Sequence, residues 1–168
     1  GKCTLAYHLV NYILSQNENF SYDIKKHIIN KENKSFKLII NKSSPNFNLI
    51  DINEKKKIDI EQIRELINLI NKSSFNDKPR FVLIDNIEYL STSSINALLK
   101  VIEEPTTNTF FILIHNNKKI LSTLKSRCLL FKISLSYKKS IEILNKLLGE
   151  NYENKINIEL INYYFTPG

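Results

Sequence analysis

Apolar residues change their spacing several times along this chain, and each change marks a predicted element. From Lys2 to Leu14, Leu5, Leu9, Tyr12 and Ile13 recur at helical spacing. Gln16–Lys34 is polar and rich in Asn and Lys, which predicts a loop with a short helix around Asp23–Ile29. Phe36–Ile40 fits a strand or a helical turn equally well. After Pro45, Phe47–Ile52 alternates apolar and polar residues and reads as a strand. Asp59 followed by Gln62 is an N-cap signature, and Ile60, Ile63, Ile67 and Ile70 form the stripe of a helix ending near Lys72.

Phe81–Ile84 is a continuous apolar run, as expected of a strand buried on both faces of a parallel sheet. Ser91 or Thr92 can cap the next helix, whose stripe is Ile95, Leu98, Leu99 and Ile102 and which Pro105 ends. Phe110–Ile114 and Leu129–Ile133 read as two further strands. A helix at Tyr137–Leu148 is stopped by Gly149, and a last helix runs from about Ile158 to Phe165. Strands alternating with helices predict an α/β fold with a parallel, helix-covered sheet.

A chain of 168 residues fits one α/β domain, or one domain and the start of another. The dominance of Asn, Ile and Lys reads as compositional bias, so single surface lysines carry little weight. The net charge of +7 permits contact with nucleic-acid phosphates, but a solvated lysine surface explains most of it. Arg64, Arg80 and Arg127 are the only arginines. Arginine grips phosphate in a fixed fork, so each is worth inspecting. Cys3 and Cys128 are far apart and indicate neither a disulfide framework nor a zinc site. No apolar run approaches a membrane span and no signal peptide is visible, which points to a cytoplasmic protein. Gly1 at the start and Thr166-Pro167-Gly168 at the end give both termini the look of cuts within a longer protein.

Gly1-Lys2-Cys3-Thr4 opens the first predicted helix. A phosphate-binding loop needs glycines for close backbone approach, a lysine for the phosphates and a Ser/Thr hydroxyl for Mg²⁺. Only the last part of such a loop is present, and Cys3 takes the hydroxyl position. A thiol is a poor ligand for a hard cation. Asp85 ends a strand, where a carboxylate can hold Mg²⁺ or simply cap the next turn. Asn86 follows it, where a hydrolytic site needs a base; asparagine cannot accept the proton of an attacking water.

Asn96, Lys100 and Glu103 share the face opposite the apolar stripe of their helix, and by pattern that face is simply solvated. His115 and Asn116 end a strand, where a polar side chain could sense a phosphate. Arg127, between Ser126 and Cys128, could reach a phosphate on a neighbouring subunit; taken alone, a surface or salt-bridged arginine is the better reading.

Together these residues form a recognisable set. Leu-Ile-Asp-Asn, Asn-Ala-Leu-Leu-Lys-Val-Ile-Glu-Glu-Pro, Phe-Phe-Ile-Leu-Ile and Leu-Lys-Ser-Arg-Cys resemble the AAA+ module of bacterial DNA polymerase III clamp-loader subunits. The resemblance covers nearly the whole chain, including Gly1-Lys2…Leu5-Ala6 and Ile60–Leu66. It lies closer to delta-prime than to the ATP-hydrolysing gamma/tau subunits. The loop ends Gly-Lys-Cys rather than Gly-Lys-Ser/Thr, the Walker B pair is Asp85-Asn86 rather than Asp-Glu, and the four zinc cysteines of gamma/tau are absent. Some delta-prime proteins carry those cysteines, so their absence does not decide by itself. Ser43-Ser44-Pro45-Asn46 resembles the Ser-His-Pro-Asp segment of delta-prime proteins.

The resemblance implies an AAA+ domain over residues 1–134 and the start of a helical lid over 135–168, with a collar domain missing. It implies that Arg127 acts as an arginine finger in trans. It also implies that Gly1, Lys2, Cys3, Thr4, Asp85, Asn86 and Asn116 are a degenerate nucleotide site. ATP and Mg²⁺ then belong to the neighbouring subunit, and the partners are gamma/tau, delta, the sliding clamp and primed DNA. The strand that precedes the phosphate loop in the family lies between the Phe110–Ile114 and Leu129–Ile133 strands and would precede Gly1. A gap or exposed seam at the sheet centre, with both neighbouring edges unpaired, is therefore expected. The alternatives are an active gamma/tau-type ATPase and a basic DNA-binding module.

Overall fold

The computed structural model describes residues 1–52, 54, 57–72, 76–116, 120–133 and 136–148. Contacts divide the chain into two compact units, Lys2–Leu129 and one made of Gly1 with the residues from Leu130 onward. The expected helix at 158–165 and its predecessor Gly149 lie outside the described residues.

In the first unit α1 (Lys2–Leu14) and α2 (Lys34–Ile40) precede β1 (Phe47–Ile50) and α3 (Ile60–Ile70). Then come β2 (Arg80–Ile84), a 3₁₀ turn at Ile87–Tyr89, α4 (Thr92–Glu103), β3 (Thr109–Leu113) and the single turn α5 (Ser122–Lys125). The sheet has the order β1-β2-β3 and is parallel throughout, with Phe47 beside Phe81 and Phe81 beside Phe110. Among the described residues the outer edge of β3 carries no further strand, and Phe110 is 52% exposed. This is a parallel α/β arrangement with helices packed on both faces of the sheet.

All five residues of β2 are buried, because both faces of the central strand are covered. Val82 and Ile84 meet Ile63, Leu66 and Ile70 of α3 and Leu98 of α4. Phe81 and Leu83 face the other way, among Ala6, Val10 and Leu14 of α1, Ile39 of α2 and Phe47. The alternating side chains of one strand thus serve two core layers, which is why the run is apolar without interruption.

Local signals account for most helix ends. Gln62 Oε1 accepts from Asp59 N at 3.0 Å and completes a capping box at the start of α3. Ser91 Oγ accepts from Ser94 N at 3.1 Å and caps α4. Arg80 caps the far end of α3: its guanidinium donates to Ile70 O at 2.6 Å and Leu69 O at 3.2 Å, and it is buried. Carbonyls at a helix C-terminus lack intrahelical donors and favour a cation there. Asn46 is also buried, with its Nδ2 donating to Asn76 Oδ1 and Lys78 O, which ties the entry of β1 to that of β2.

The structure corrects four expectations. Leu5, Leu9 and Tyr12 are exposed, and α1 buries Ala6, Val10 and Leu14 instead. Both sets satisfy helical spacing, and packing in the core layer with Phe47, Phe81 and Leu83 selects between them. Within α3, Leu66 joins the buried stripe and Ile67 moves to its margin. Asp23–Ile29 is no helix: Asp23 and Ile28 form an antiparallel bridge, and Asp23 Oδ1 accepts from the backbone N of both Lys25 and Lys26 at 3.0 Å. An Asx turn offers the backbone an alternative to the helix. Leu129–Ile133 forms no strand, and Leu129 and Phe131 are 86% and 80% exposed. An apolar run is a strand only where a ladder partner takes its backbone groups.

Phe36–Ile40, left open between strand and helical turn, lies in α2, whose cap Asn33 accepts from Phe36 N at 2.7 Å. In the second unit α6 spans Tyr137–Leu148, as the pattern predicts. Among the described residues no helix is long and apolar enough to cross a membrane.

Candidate nucleotide-type site and arginine edge

The three parallel strands end on the same side, and the residues just beyond them meet the start of α1. Asp51 follows β1, Asp85 and Asn86 follow β2, and His115 and Asn116 follow β3. Ligands of open α/β sheets bind beyond the carboxyl ends of the strands, so this is the place for a nucleotide.

A continuous hydrogen-bonded chain crosses it. Lys2 Nζ donates to His115 O at 2.6 Å and to Asn116 Oδ1 at 3.2 Å. Asn116 Nδ2 donates to Asn86 Oδ1 at 3.1 Å, and Asn86 Nδ2 donates to Asp51 Oδ1 at 2.8 Å. Asn86 has φ 57° and ψ 43°, a left-handed conformation that asparagine tolerates better than most residues. Its backbone N donates to Asp85 Oδ1 at 2.8 Å. Glu88 Oε1 accepts from Asn116 N at 3.2 Å, while its Oε2 and the Nδ1 of His115 are buried without a partner.

Cys3 stands beside Asp85. Burial pushes its thiol up from the ordinary value, and the Asp85 carboxylate adds to this through its charge and a hydrogen bond. At neutral pH Cys3 is therefore a protonated donor, and a Mg²⁺ ligand would have to be thiolate or oxygen. Asp51, Asp85 and Glu88 accept hydrogen bonds from Asn86 and Asn116, and the Lys2 ammonium already serves two oxygens. The described residues of the cluster include three carboxylates and one lysine, an unfavourable balance for a triphosphate. Among the described residues no three His, Cys, Asp or Glu side chains cluster as a metal site. Thr4 lies on the exposed side of the first turn of α1, and Gly1 groups with the second unit.

The structure thus brings together Lys2, Cys3, Asp85, Asn86 and Asn116. Asp51 and Glu88 complete the cluster. Asp51 carried the same signal as Asp85, an acid directly after an apolar run; Glu88 carried none. A concavity of about 410 Å³ beside Lys72, Arg80 and Asn108 lies at the opposite ends of the strands.

Arg127 stands apart from this cluster. It follows α5, whose Leu124 is buried in the core. Its Nη1 donates to Thr123 O at 3.0 Å, and its Nη2 forms an ion pair with Glu103 Oε1 at the end of α4. The side chain is 37% exposed.

Against known proteins, the family model described as "DNA polymerase III, delta subunit" matches residues 1–136. The chain belongs to this family. A delta' subunit of DNA polymerase III from Buchnera aphidicola subsp. Schizaphis graminum is 37% identical over 123 residues, covering 72% of this chain and 37% of that protein. The delta' subunit from subsp. Baizongia pistaciae is 33% identical over 164 residues, covering 93% and 43%. A gamma subunit from the Schizaphis graminum symbiont is 33% identical over 120 residues, covering 68% and 33%. The chain therefore spans about two-fifths of the length of the delta' relatives it matches. A gamma-subunit-related protein of Thermotoga maritima superposes with a TM-score of 0.52 at 23% identity, over 63% of this chain and 36% of that one. That likeness supports the fold alone. Membership in the DNA polymerase III family agrees with the motif set that carried the resemblance.

Proposed function

We propose that this chain is the AAA+ module of a clamp-loader delta-prime subunit. It supports ATP-driven loading of the sliding clamp on primed DNA in the cytoplasm, alongside gamma/tau and delta. Arg127 is its contribution to the chemistry, acting as an arginine finger on ATP and Mg²⁺ held by a neighbouring gamma/tau subunit. Gly1, Lys2, Cys3, Thr4, Asp85, Asn86 and Asn116 are the remnant of a nucleotide site that this subunit does not use for hydrolysis.

One observation carries this reading. Asn86, in the place of the catalytic base, is committed on both sides, donating to Asp51 and accepting from Asn116. It can neither take a proton from water nor turn toward one without breaking that chain. The exposed fork of Arg127, by contrast, has the geometry that matches phosphate oxygens.

The deciding experiment is ATP hydrolysis by a loader assembled with the whole subunit. Arg127→Ala is expected to lower turnover at the adjoining site about a thousandfold, the lower end of what an arginine finger supplies. An unchanged rate rejects the role. The gamma-type relative at 33% identity favours a second reading, an active ATPase. Tight Mg²⁺-ATP binding with turnover by the isolated whole subunit would establish that reading instead.

A further inference from the structure

Arg127 and Glu103 come from different elements, and the sequence pattern placed Glu103 merely on the solvated face of α4. The structure joins them. The backbone under Arg127 is held by its own N donating to Leu124 O at 3.2 Å and by Ser126 N donating to Ser122 O at 2.9 Å, on a turn anchored by buried Leu124. The long side chain beyond that base keeps its rotamer freedom unless something fixes its far end. Two groups do so from different directions: the Thr123 carbonyl on its own turn and the Glu103 carboxylate on α4.

We infer that Glu103 is a positioning residue for Arg127, fixing the guanidinium before assembly in the direction from which it meets a phosphate on the adjoining subunit. Glu103 has this role only if Arg127 acts across the subunit boundary as proposed above. Three features make the carboxylate suited to aiming rather than to blocking. Glu103 is the last residue of α4, a helix capped by Ser91 and seated on the core through Leu98, so its own position is set by a rigid element. Nη2 meets the carboxylate while Nη1 donates to the Thr123 carbonyl, so the two ends of the fork are held by different groups. Both side chains are about two-fifths exposed, 37% and 45%, and such pairs hold weakly enough for a triphosphate to compete with the carboxylate.

Fixing the fork in advance removes ordering that the transition state would otherwise require. The loss on removing Glu103 therefore falls on turnover rather than on ATP affinity. In a loader assembled with the whole subunit, Glu103→Ala is expected to lower kcat at the adjoining site about tenfold, with KM for ATP unchanged within about twofold. Glu103→Gln keeps an oxygen acceptor for Nη2 and is expected to recover most of the rate. In an Arg127→Ala background, Glu103→Ala is expected to add no further loss, because the two residues act as one unit.

A merely structural contact would instead lower the assembled fraction and reduce the rate equally in both backgrounds. That result overturns the positioning role, as does an unchanged or raised kcat in Glu103→Ala while Arg127→Ala remains disabling. If Arg127→Ala itself has no effect, the cross-subunit reading fails, and the role of Glu103 with it.

Discussion

The strand-end cluster and the Arg127 edge both consist of motif residues, yet they use their polar groups in opposite ways. In the cluster, Lys2, Asn116, Asn86 and Asp51 hydrogen-bond one another in a continuous chain. At the edge, the Arg127 side chain is 37% exposed, with the Thr123 carbonyl and the Glu103 carboxylate as anchors. The first arrangement stabilises the ends of the strands. The second leaves a charged side chain partly exposed. The strand-end residues hydrogen-bond mainly to one another, whereas Arg127 is held by two groups and stays partly exposed.

The largest effect that would break this contrast is at Arg127. Its replacement by Ala is expected to cost about a thousandfold in rate at the adjoining site while leaving the unfolding midpoint of the subunit unchanged. A shifted midpoint would place Arg127 among the structural residues instead.

Next comes Asn86→Glu, which restores the acid that a hydrolytic site carries. In this chain it sets a second carboxylate against Asp51, whose oxygen is 2.8 Å from Asn86 Nδ2. We expect a loss of about 2 kcal/mol in urea unfolding at neutral pH and no gain in hydrolysis. Restored turnover would show that the cluster is a site waiting for its base rather than a brace.

A smaller effect is expected at Glu18, which ties α1 to α2 and to the approach of β2. Burial pushes its carboxyl up, but hydrogen bonds from Ser35 Oγ and N and the Lys78 ammonium outweigh this and hold it below the ordinary value. A lowered folded-state value contributes stability at neutral pH that is lost as pH falls through it. Glu18→Gln should therefore cost about 1 kcal/mol at pH 7. The difference from the parent chain should close as pH falls below the ordinary glutamate range, near pH 4, in thermal unfolding measured across pH.

The smallest is the stability effect of Glu103→Ala, below about 0.5 kcal/mol in the same unfolding measurement. Against its expected effect on turnover, that small value separates a residue that aims from one that braces.

Much of the fold was legible because its signals are local. A run such as Phe81–Ile84 can only be a strand covered on both faces, and Asp59 with Gln62 or Ser91 with Ser94 cap helices within one turn. α6 was readable over its whole length for the same reason. The face of α1 was not, because two apolar stripes satisfy the same period and the larger residues were the wrong guide. The hairpin-like turn at Asp23–Ile28 was missed because one side-chain oxygen redirected the backbone.

By itself, the sequence determined the elements, their α/β order and the identity of the groups at the strand ends, including the absence of a base at Asn86. Only the tertiary structure decided that Asn86 is committed to Asp51 and Asn116, partners 35 and 30 residues away, and that Lys2 closes the chain from 114 residues before Asn116. It also decided that Glu103, unremarkable on its helix, is the partner of Arg127. Caps, turns and periodicity act over one helical turn and leave their record in neighbouring letters. Hydrogen bonds between strand ends depend on sheet order and register, which no local pattern encodes.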